Sequence, residues 1–229
     1  MRSHKKKPVT SVPNVTVPSH IVFYPILVLT LLLWVLYRQL FTFPVWFDEI
    51  LGKAIFFGLP VWLYITVAGS HNITDSLAPR KFQTGMLLGL ALGGVFGFTT
   101  SLMAVLSGSG QVETALLFTS QRFWVEFVLA LFTAFWETIL FFSFALTVIQ
   151  EKYRDWTDWQ QVFLGAGIFL IFHIPNMFLR FSGTEILVQM MLLFLFALGQ
   201  GFLFVGRRNA YALILAHAIW GMVLLTHTW

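Results

Sequence analysis

Long apolar runs dominate the chain, and most of them are long enough to cross a lipid bilayer as a helix. Of its 229 residues, 58% are hydrophobic and only 10% are charged, whereas a soluble domain has about 25% charged residues. A spanning helix needs about 20 apolar residues, because each residue adds about 1.5 Å and the hydrocarbon core is about 30 Å thick. The sequence therefore predicts an all-α, polytopic transmembrane helix bundle.

Seven predicted spans follow one another along the chain. They cover residues 20–40, 52–69, 82–106, 122–150, 160–180, 186–205 and 210–229. Residues 41–51, which include Asp48 and Glu49, are predicted to form a loop. A re-entrant or split segment within residues 41–69 would raise the count to eight. We expect three regions: a basic, disordered cytoplasmic tail over residues 1–19, N-terminal transmembrane helices over residues 20–121, and a C-terminal helix bundle over residues 122–229.

Charge and cysteine usage constrain the orientation of the spans and the chemistry open to them. With the N-terminus in the cytoplasm, ten Lys and Arg residues lie on the cytoplasmic side and four lie outside, as the positive-inside rule prefers. The four outside are Arg38, Lys53, Arg122 and Arg180. The net charge of +4 is small, and aromatic and basic residues are not interleaved, so we expect no nucleic-acid partner. The absence of cysteine excludes disulfides and thiolate chemistry.

Glu137 is the only formally charged residue between Leu131 and Gln150. An ionisable side chain at the centre of a membrane helix costs about 2.5–3.5 kcal/mol, and it usually faces a polar cavity and marks a functional site. The alternative is a protonated carboxyl group that hydrogen-bonds to a neighbouring helix. His173 and His217 lie in the same way inside two other apolar runs. At about 1.5 Å per residue, the three residues lie about 21, 22 and 14 Å from the proposed cytoplasmic ends of their helices. We therefore expect them to converge.

One carboxylate and two imidazoles permit two kinds of chemistry. A buried Glu beside a His can act as a general base toward water, and a second imidazole can donate to the developing oxyanion. The same three side chains could instead hold one divalent metal, such as zinc, with open positions for water. Both hypotheses stay open at this point, and a packing role for either histidine is the simpler alternative to each.

These stretches resemble the motifs of the CAAX protease and bacteriocin-processing (CPBP) family of intramembrane peptidases, which includes the type II CAAX prenyl endopeptidases. The family pattern is a Glu-Glu-x-x-x-Arg helix, a Phe-x-x-x-His helix and a His-x-x-x-Asn/Asp helix. Phe169 and His173 fit the second motif, and residues 214–221 (ILAHAIWG) resemble the third. The resemblance covers roughly residues 123–220. It implies that Glu137, His173 and His217 are the catalytic residues, or the metal ligands if the enzyme is metal-dependent.

The first and third motifs are degenerate. With Glu137 aligned as the first Glu, Thr138 takes the place of the second Glu and Phe142 that of the Arg. With Glu137 aligned as the second Glu, one Glu and the Arg are again missing. We prefer the first alignment, because the residues that follow then match the family's usual Phe and small residue. Gly221 stands where the third motif has Asn or Asp.

Asn176 is a candidate replacement for the amide that the third motif lacks. It follows His173 by three residues and so shares its helix face. The alternative is a capping or kink-associated role beside Pro175.

The resemblance implies an intramembrane endopeptidase in the cytoplasmic membrane of a prokaryote. Its substrate would be a membrane-associated peptide, such as a prenylated tail or a bacteriocin-like precursor, hydrolysed by Glu-activated water. The missing motif residues motivate a second hypothesis, a catalytically impaired member of the family that works as an immunity or assembly factor. A transporter is a third hypothesis, since ionisable residues in membrane helices also mark transport pathways. It is the weakest, because the chain lacks paired Gly/Pro-broken helices in two corresponding halves.

Overall fold

The computed structural model describes residues 21–68, 71–106 and 121–226, and these residues fold into helices and short turns without a β-strand. The all-α prediction is therefore confirmed. The predicted cytoplasmic tail, residues 1–19, lies outside the described residues. The principal helices of the described chain are α1 (Phe23–Leu40), α2 (Val45–Ala68), α3 (Phe82–Leu106), α4 (Gln121–Lys152), α5 (Asp158–Arg180), α6 (Thr184–Arg207) and α7 (Ala210–Thr226).

Six segments of the described chain are long and apolar enough to cross a membrane. Five of them are α1, α2, α4, α5 and α6, and the sixth, Asn72–Thr99, comprises a short helix, a turn and most of α3. Helix α7 contributes a shorter apolar stretch, Ala210–Met222. This arrangement agrees with the predicted count of about seven helices, and the chain is an integral membrane protein.

The predicted loop over residues 41–51 is wrong, because α2 begins at Val45 and carries both acidic residues of that segment into the bundle. Asp48 accepts hydrogen bonds from the Tyr37 hydroxyl and the Arg38 guanidinium, each at 2.5 Å. A charged side chain can lie within a membrane helix when an opposite charge or a donor satisfies it. The acidic residues therefore mark contacts between helices here, and not a loop.

Helices α2 and α4 change from α-helical to π-helical geometry along part of their length. In α2 the wider turns cover Asp48–Gly52 and Ala54–Gly58, and in α4 they cover Thr138–Leu146. Such turns are rare in proteins, and those that do occur are often at functional sites. Lys53 lies between the two π-helical segments of α2, and Glu137 directly precedes that of α4.

Helix α4 lies at the centre of the bundle. Residues 140–149 are all buried, and α4 packs against α2, α5, α6 and α7. The ring of Phe141 meets Phe57 of α2 and Phe169 of α5 edge to face. This packing fixes the middle of α4 between helices from both halves of the chain.

Helix α7 approaches α3 closely because glycines of α3 face it. A Cβ atom at Gly89 would lie 2.7 Å from the carbonyl oxygen of Ala212, and one at Gly93 would lie 2.6 Å from Cδ1 of Ile219. Small residues spaced by four permit such close approach between membrane helices. Since α7 also packs on α4, this contact holds His217 beside the centre of the bundle.

Candidate active site

Glu137 of α4 contacts side chains from three other helices. It is 4% exposed, and its Oε2 faces Nε2 of His173 on α5 at 3.4 Å and Nε2 of His217 on α7 at 3.6 Å. Its Oε1 accepts a hydrogen bond from Nζ of Lys53 on α2 at 2.7 Å. The structure therefore brings together the three residues that the sequence singled out, and it adds a cation that sequence reasoning missed.

His173 is oriented by the residue one helical turn before it. Its ring stacks on Phe169 with 4.2 Å between centroids and 25° between planes. Its Nδ1 lies 2.8 Å from the Phe169 carbonyl oxygen, so we assign a proton to Nδ1 that is donated to this carbonyl. The spacing Phe-x-x-x-His thus has a physical reason, because residues four apart lie on one helix face. In the neutral imidazole, Nε2 then carries the lone pair that faces Glu137.

His217 lies in an aromatic pocket with a different pattern of partners. It is 8% exposed, and its ring centroid lies 4.7 Å from that of Phe196 and 6.4 Å from that of Trp220. Its Nδ1 is buried without a hydrogen-bond partner among the described residues. A buried N–H without an acceptor is costly, so we assign the proton to Nε2, where Glu137 can accept it. The two imidazoles therefore differ in the group that each presents to the carboxylate.

Neither Lys53 nor Glu49 is predicted as a site residue, because the charge and hydropathy patterns place Lys53 on the outer side and Glu49 in a loop. Nζ of Lys53 lies 2.5 Å from Oε2 of Glu49 as well as 2.7 Å from Glu137. Thr133 Oγ1 donates a hydrogen bond to the same Glu49 oxygen at 2.5 Å. One sequence signal was available: Glu49 and Lys53 are four residues apart, a spacing that suits an ion pair on one helix face.

The charges at this site are buried together. The side chain of Lys53 is 6% exposed, that of Glu137 is 6% exposed and that of Glu49 is 18% exposed. Removing an isolated charge from water is expensive, and a paired and hydrogen-bonded charge is the form that proteins tolerate. The ammonium of Lys53 stabilises the ionised carboxylate of Glu137. This arrangement disfavours the alternative of a neutral Glu137 that merely bridges two helices.

Thr138, Asn176 and Gly221 are close in sequence to the three central residues, but the structure shows no hydrogen bond from them to the central side chains. Oγ1 of Thr138 and Oδ1 of Asn176 are buried without a hydrogen-bond partner among the described residues. Gly221 follows His217 by one helical turn, and a Cβ atom at this position would meet no neighbouring side chain or helix within 4 Å in the part of the chain that the structure describes. No described residue therefore fills the space where the family motif has an amide or a carboxyl group.

The arrangement does not fit a divalent metal. Among the described residues, no group of three His, Cys, Asp or Glu side chains is placed to hold a metal ion. Nζ of Lys53 is 2.7 Å from one oxygen of the carboxylate that would have to serve as a ligand, and an ammonium at that distance would repel a second cation. Zinc dependence stays a prediction from the sequence.

Comparison with known proteins identifies the C-terminal part of the chain. Residues 119–223 match a family model described as type II CAAX prenyl endopeptidase Rce1-like. This range contains Glu137, His173 and His217, and it begins well after Glu49 and Lys53. No curated protein and no solved structure matches the chain.

Proposed function

Because this chain belongs, through residues 119–223, to the CAAX protease and bacteriocin-processing family of intramembrane endopeptidases, we propose that it hydrolyses a membrane-associated peptide with water activated by Glu137. The observation that carries the proposal is the position of Glu137 Oε2, which faces the Nε2 atoms of both histidines at 3.4 and 3.6 Å. A water molecule within reach of these three atoms has an acceptor for its proton on the carboxylate.

Glu137 acts first as general base and then as general acid. Its Oε2 takes a proton from the water while the water oxygen attacks the carbonyl carbon of the scissile peptide bond. The resulting tetrahedral intermediate carries a negative charge on the former carbonyl oxygen. Glu137 then gives the proton to the leaving nitrogen as the carbon–nitrogen bond breaks. One water is consumed, and a carboxylic acid and an amine are formed.

The two histidines have different roles, because they carry their protons on different ring nitrogens. The lone pair on Nε2 of His173, which the Nδ1–H bond to Phe169 fixes in place, accepts a hydrogen bond from the second O–H group of the water, which keeps that proton and is oriented by the bond. The Nε2–H group of His217 donates to the oxyanion. Removing one such donor typically costs about 10²- to 10³-fold in kcat.

The substrate must reach the middle of a membrane helix, because Glu137 lies about midway along α4. A prenylated C-terminal tail and a hydrophobic bacteriocin-like precursor both have this property. We place the enzyme in the cytoplasmic membrane of a prokaryote.

A specific observation favours a second function. Phe142 and Thr138 are buried at the positions where the family motif has an Arg and a second Glu, and Gly221 replaces the third motif's Asn or Asp. A chain with these losses could serve as an immunity or assembly factor that binds the same class of peptide without cleaving it.

The test is turnover of a fluorogenic lipidated peptide by the purified protein in liposomes, with wild type compared with Glu137→Gln. We expect the variant to lose about 10²- to 10⁴-fold in rate, because the amide keeps the side-chain volume but cannot take a proton. Glu126→Gln is the matched control, since Glu126 lies on the same helix in an exposed ion pair with Arg122. Wild-type turnover in Glu137→Gln would rule out Glu137 as the base. A wild type that binds the peptide but never cleaves it would favour the second function.

A further inference from the structure

Two side chains of α2 and two of α4 form a chain of polar contacts between the helices. On α2, Glu49 and Lys53 are four residues apart, and on α4, Thr133 and Glu137 are also four residues apart. Each pair therefore lies on one helix face, and the two faces meet. Thr133 donates to Glu49 at 2.5 Å, Lys53 contacts Glu49 at 2.5 Å, and Lys53 donates to Glu137 at 2.7 Å.

This arrangement decides which oxygen of Glu137 faces the histidines. A carboxylate can turn about its terminal bond, so its two oxygens are equivalent unless a neighbour distinguishes them. Lys53 binds Oε1, and Oε2 is left to face the imidazoles at 3.4 and 3.6 Å. Glu49 in turn holds the ammonium, and Thr133 holds Glu49. The orientation of the base is therefore fixed by a helix on which none of the histidines lies.

Stability alone is a poor reason for such a cluster. Buried ion pairs seldom stabilise a protein more than well-packed apolar residues of similar size, because the desolvation of the charges offsets their attraction. Here one Lys and two Glu side chains are held together within an otherwise apolar bundle. The π-helical turns on both sides of Lys53 and directly after Glu137 are of the kind found frequently at functional sites.

Helix α4 cannot supply a cation or a second carboxylate at these positions itself. Phe142 and Thr138, which stand at the Arg and second Glu of the family motif, are 2% and 0% exposed and uncharged. Lys53 and Glu49 bring the same two kinds of charge from α2, outside residues 119–223 that match the family. We propose that Lys53 and Glu49 are positioning residues of the active site, which orient Glu137 in place of the charged residues that α4 lacks. This inference rests on the proposed function.

The first test is Lys53→Met, measured as kcat and KM on the peptide that the wild type cleaves. We expect kcat to fall by about 10²-fold, as for loss of an aligned general base, with KM within about threefold, because Lys53 acts through Glu137 and not on the bound peptide. The Lys53→Met/Glu137→Gln double variant should be no slower than Glu137→Gln alone. Lys81→Met is the matched control, since Lys81 pairs with Asp75 at 2.7 Å at a distance from the site.

The second test restores the ammonium chemically. The chain has no native cysteine, so Lys53→Cys introduces a single thiol. Alkylation with 2-bromoethylamine adds an ammonium at nearly the length of lysine, whereas iodoacetamide adds a neutral amide. We expect at least a tenfold recovery of kcat with the first reagent and none with the second, with the extent of alkylation read by mass spectrometry. If Lys53 only filled space, the two reagents would restore kcat equally.

The outcomes separate this inference from the proposed function. A folded Lys53→Met variant with wild-type kcat, alongside an inactive Glu137→Gln variant, overturns the inference and leaves the peptidase intact. A wild type without Glu137-dependent turnover overturns both. If Lys53→Met does not fold, Glu49→Gln decides, because it keeps Lys53 and Glu137 and removes only the group that holds the ammonium. A lower kcat at unchanged KM in Glu49→Gln supports the inference, and a wild-type kcat overturns it.

Discussion

At the scale of single residues, His173 and His217 differ in the hydrogen bonding of their Nδ1 atoms. Nδ1 of His173 has the Phe169 carbonyl oxygen as an acceptor at 2.8 Å, whereas Nδ1 of His217 has no partner among the described residues. The proton therefore belongs on opposite nitrogens of the two rings. One imidazole can accept a hydrogen bond from water and the other can donate to an oxyanion.

A prediction at this scale concerns Gly221. Its replacement by Asn places an amide one helical turn after His217, where no described residue outside the helix's own backbone lies within 4 Å of a Cβ position. Because His217 is the single side-chain donor proposed for the oxyanion, a second donor from Gly221→Asn should raise kcat by up to about 10²-fold. Gly199→Asn is the matched control, because this glycine of α6 also has nothing within 4 Å of a Cβ position. A folded Gly221→Asn variant with unchanged kcat would contradict the idea that a missing donor limits turnover.

At the scale of the elements, hydropathy predicts helices well where a helix is uniformly apolar. The predicted span over residues 82–106 coincides with α3, and the span over residues 160–180 begins two residues inside α5. It fails at α2, because Asp48 and Glu49 were interpreted as loop residues. Their partners come from elsewhere: Asp48 is satisfied by α1, and Glu49 is held in part by Thr133 of α4. No pattern along a single chain segment contains those distant partners.

In the candidate site, too, the sequence predicts the residues that differ from their sequence neighbours, but not those whose role depends on a distant contact. The three residues isolated in apolar runs were recognisable, because an ionisable group in a membrane helix stands out from its neighbours. Lys53 has neighbours of mixed character near the start of a helix and does not stand out. Its role depends on the contact with Glu137, 84 residues later in the chain.

A prediction at this scale concerns the contact between α3 and α7. In Gly89→Leu, the new Cβ atom would lie 2.7 Å from the carbonyl oxygen of Ala212 and 2.9 Å from Cβ of Leu215. Overpacking of this kind costs about 1–3 kcal/mol, so Tm in detergent should fall. Gly94→Leu lies on the same helix in open space and should leave Tm almost unchanged. Equal Tm values for the two variants would contradict the close packing of α7 on α3.

For the whole molecule, the candidate active site is built from residues of both halves of the chain. The matched range contributes α4, α5 and α7, whereas α2 precedes it and contributes Lys53.

A second group of charged residues lies at the helix ends, apart from the Glu137 site. Lys81 donates to Asp75 at 2.7 Å and to the carbonyl oxygen of Arg208 at 2.8 Å. A polar cavity of about 330 Å³ lies beside them, with Glu151 and Arg154 in its wall. Burial lowers the pKa of Arg208, while Glu151 and Asp75 oppose that shift.

The clustering of basic residues at one end of the bundle predicts which end faces the cytoplasm. Arg154 precedes α5 and lines the basic end, whereas Ser182 follows α5 at the opposite end, and both are exposed. Because the chain has no native cysteine, Arg154→Cys and Ser182→Cys can be labelled one at a time with a membrane-impermeant thiol reagent. The positive-inside rule predicts that Ser182→Cys reacts in intact cells and that Arg154→Cys reacts only after the membrane is opened. The reverse labelling pattern would show that the protein has the opposite orientation in the membrane, with the cavity of about 330 Å³ on the outer side.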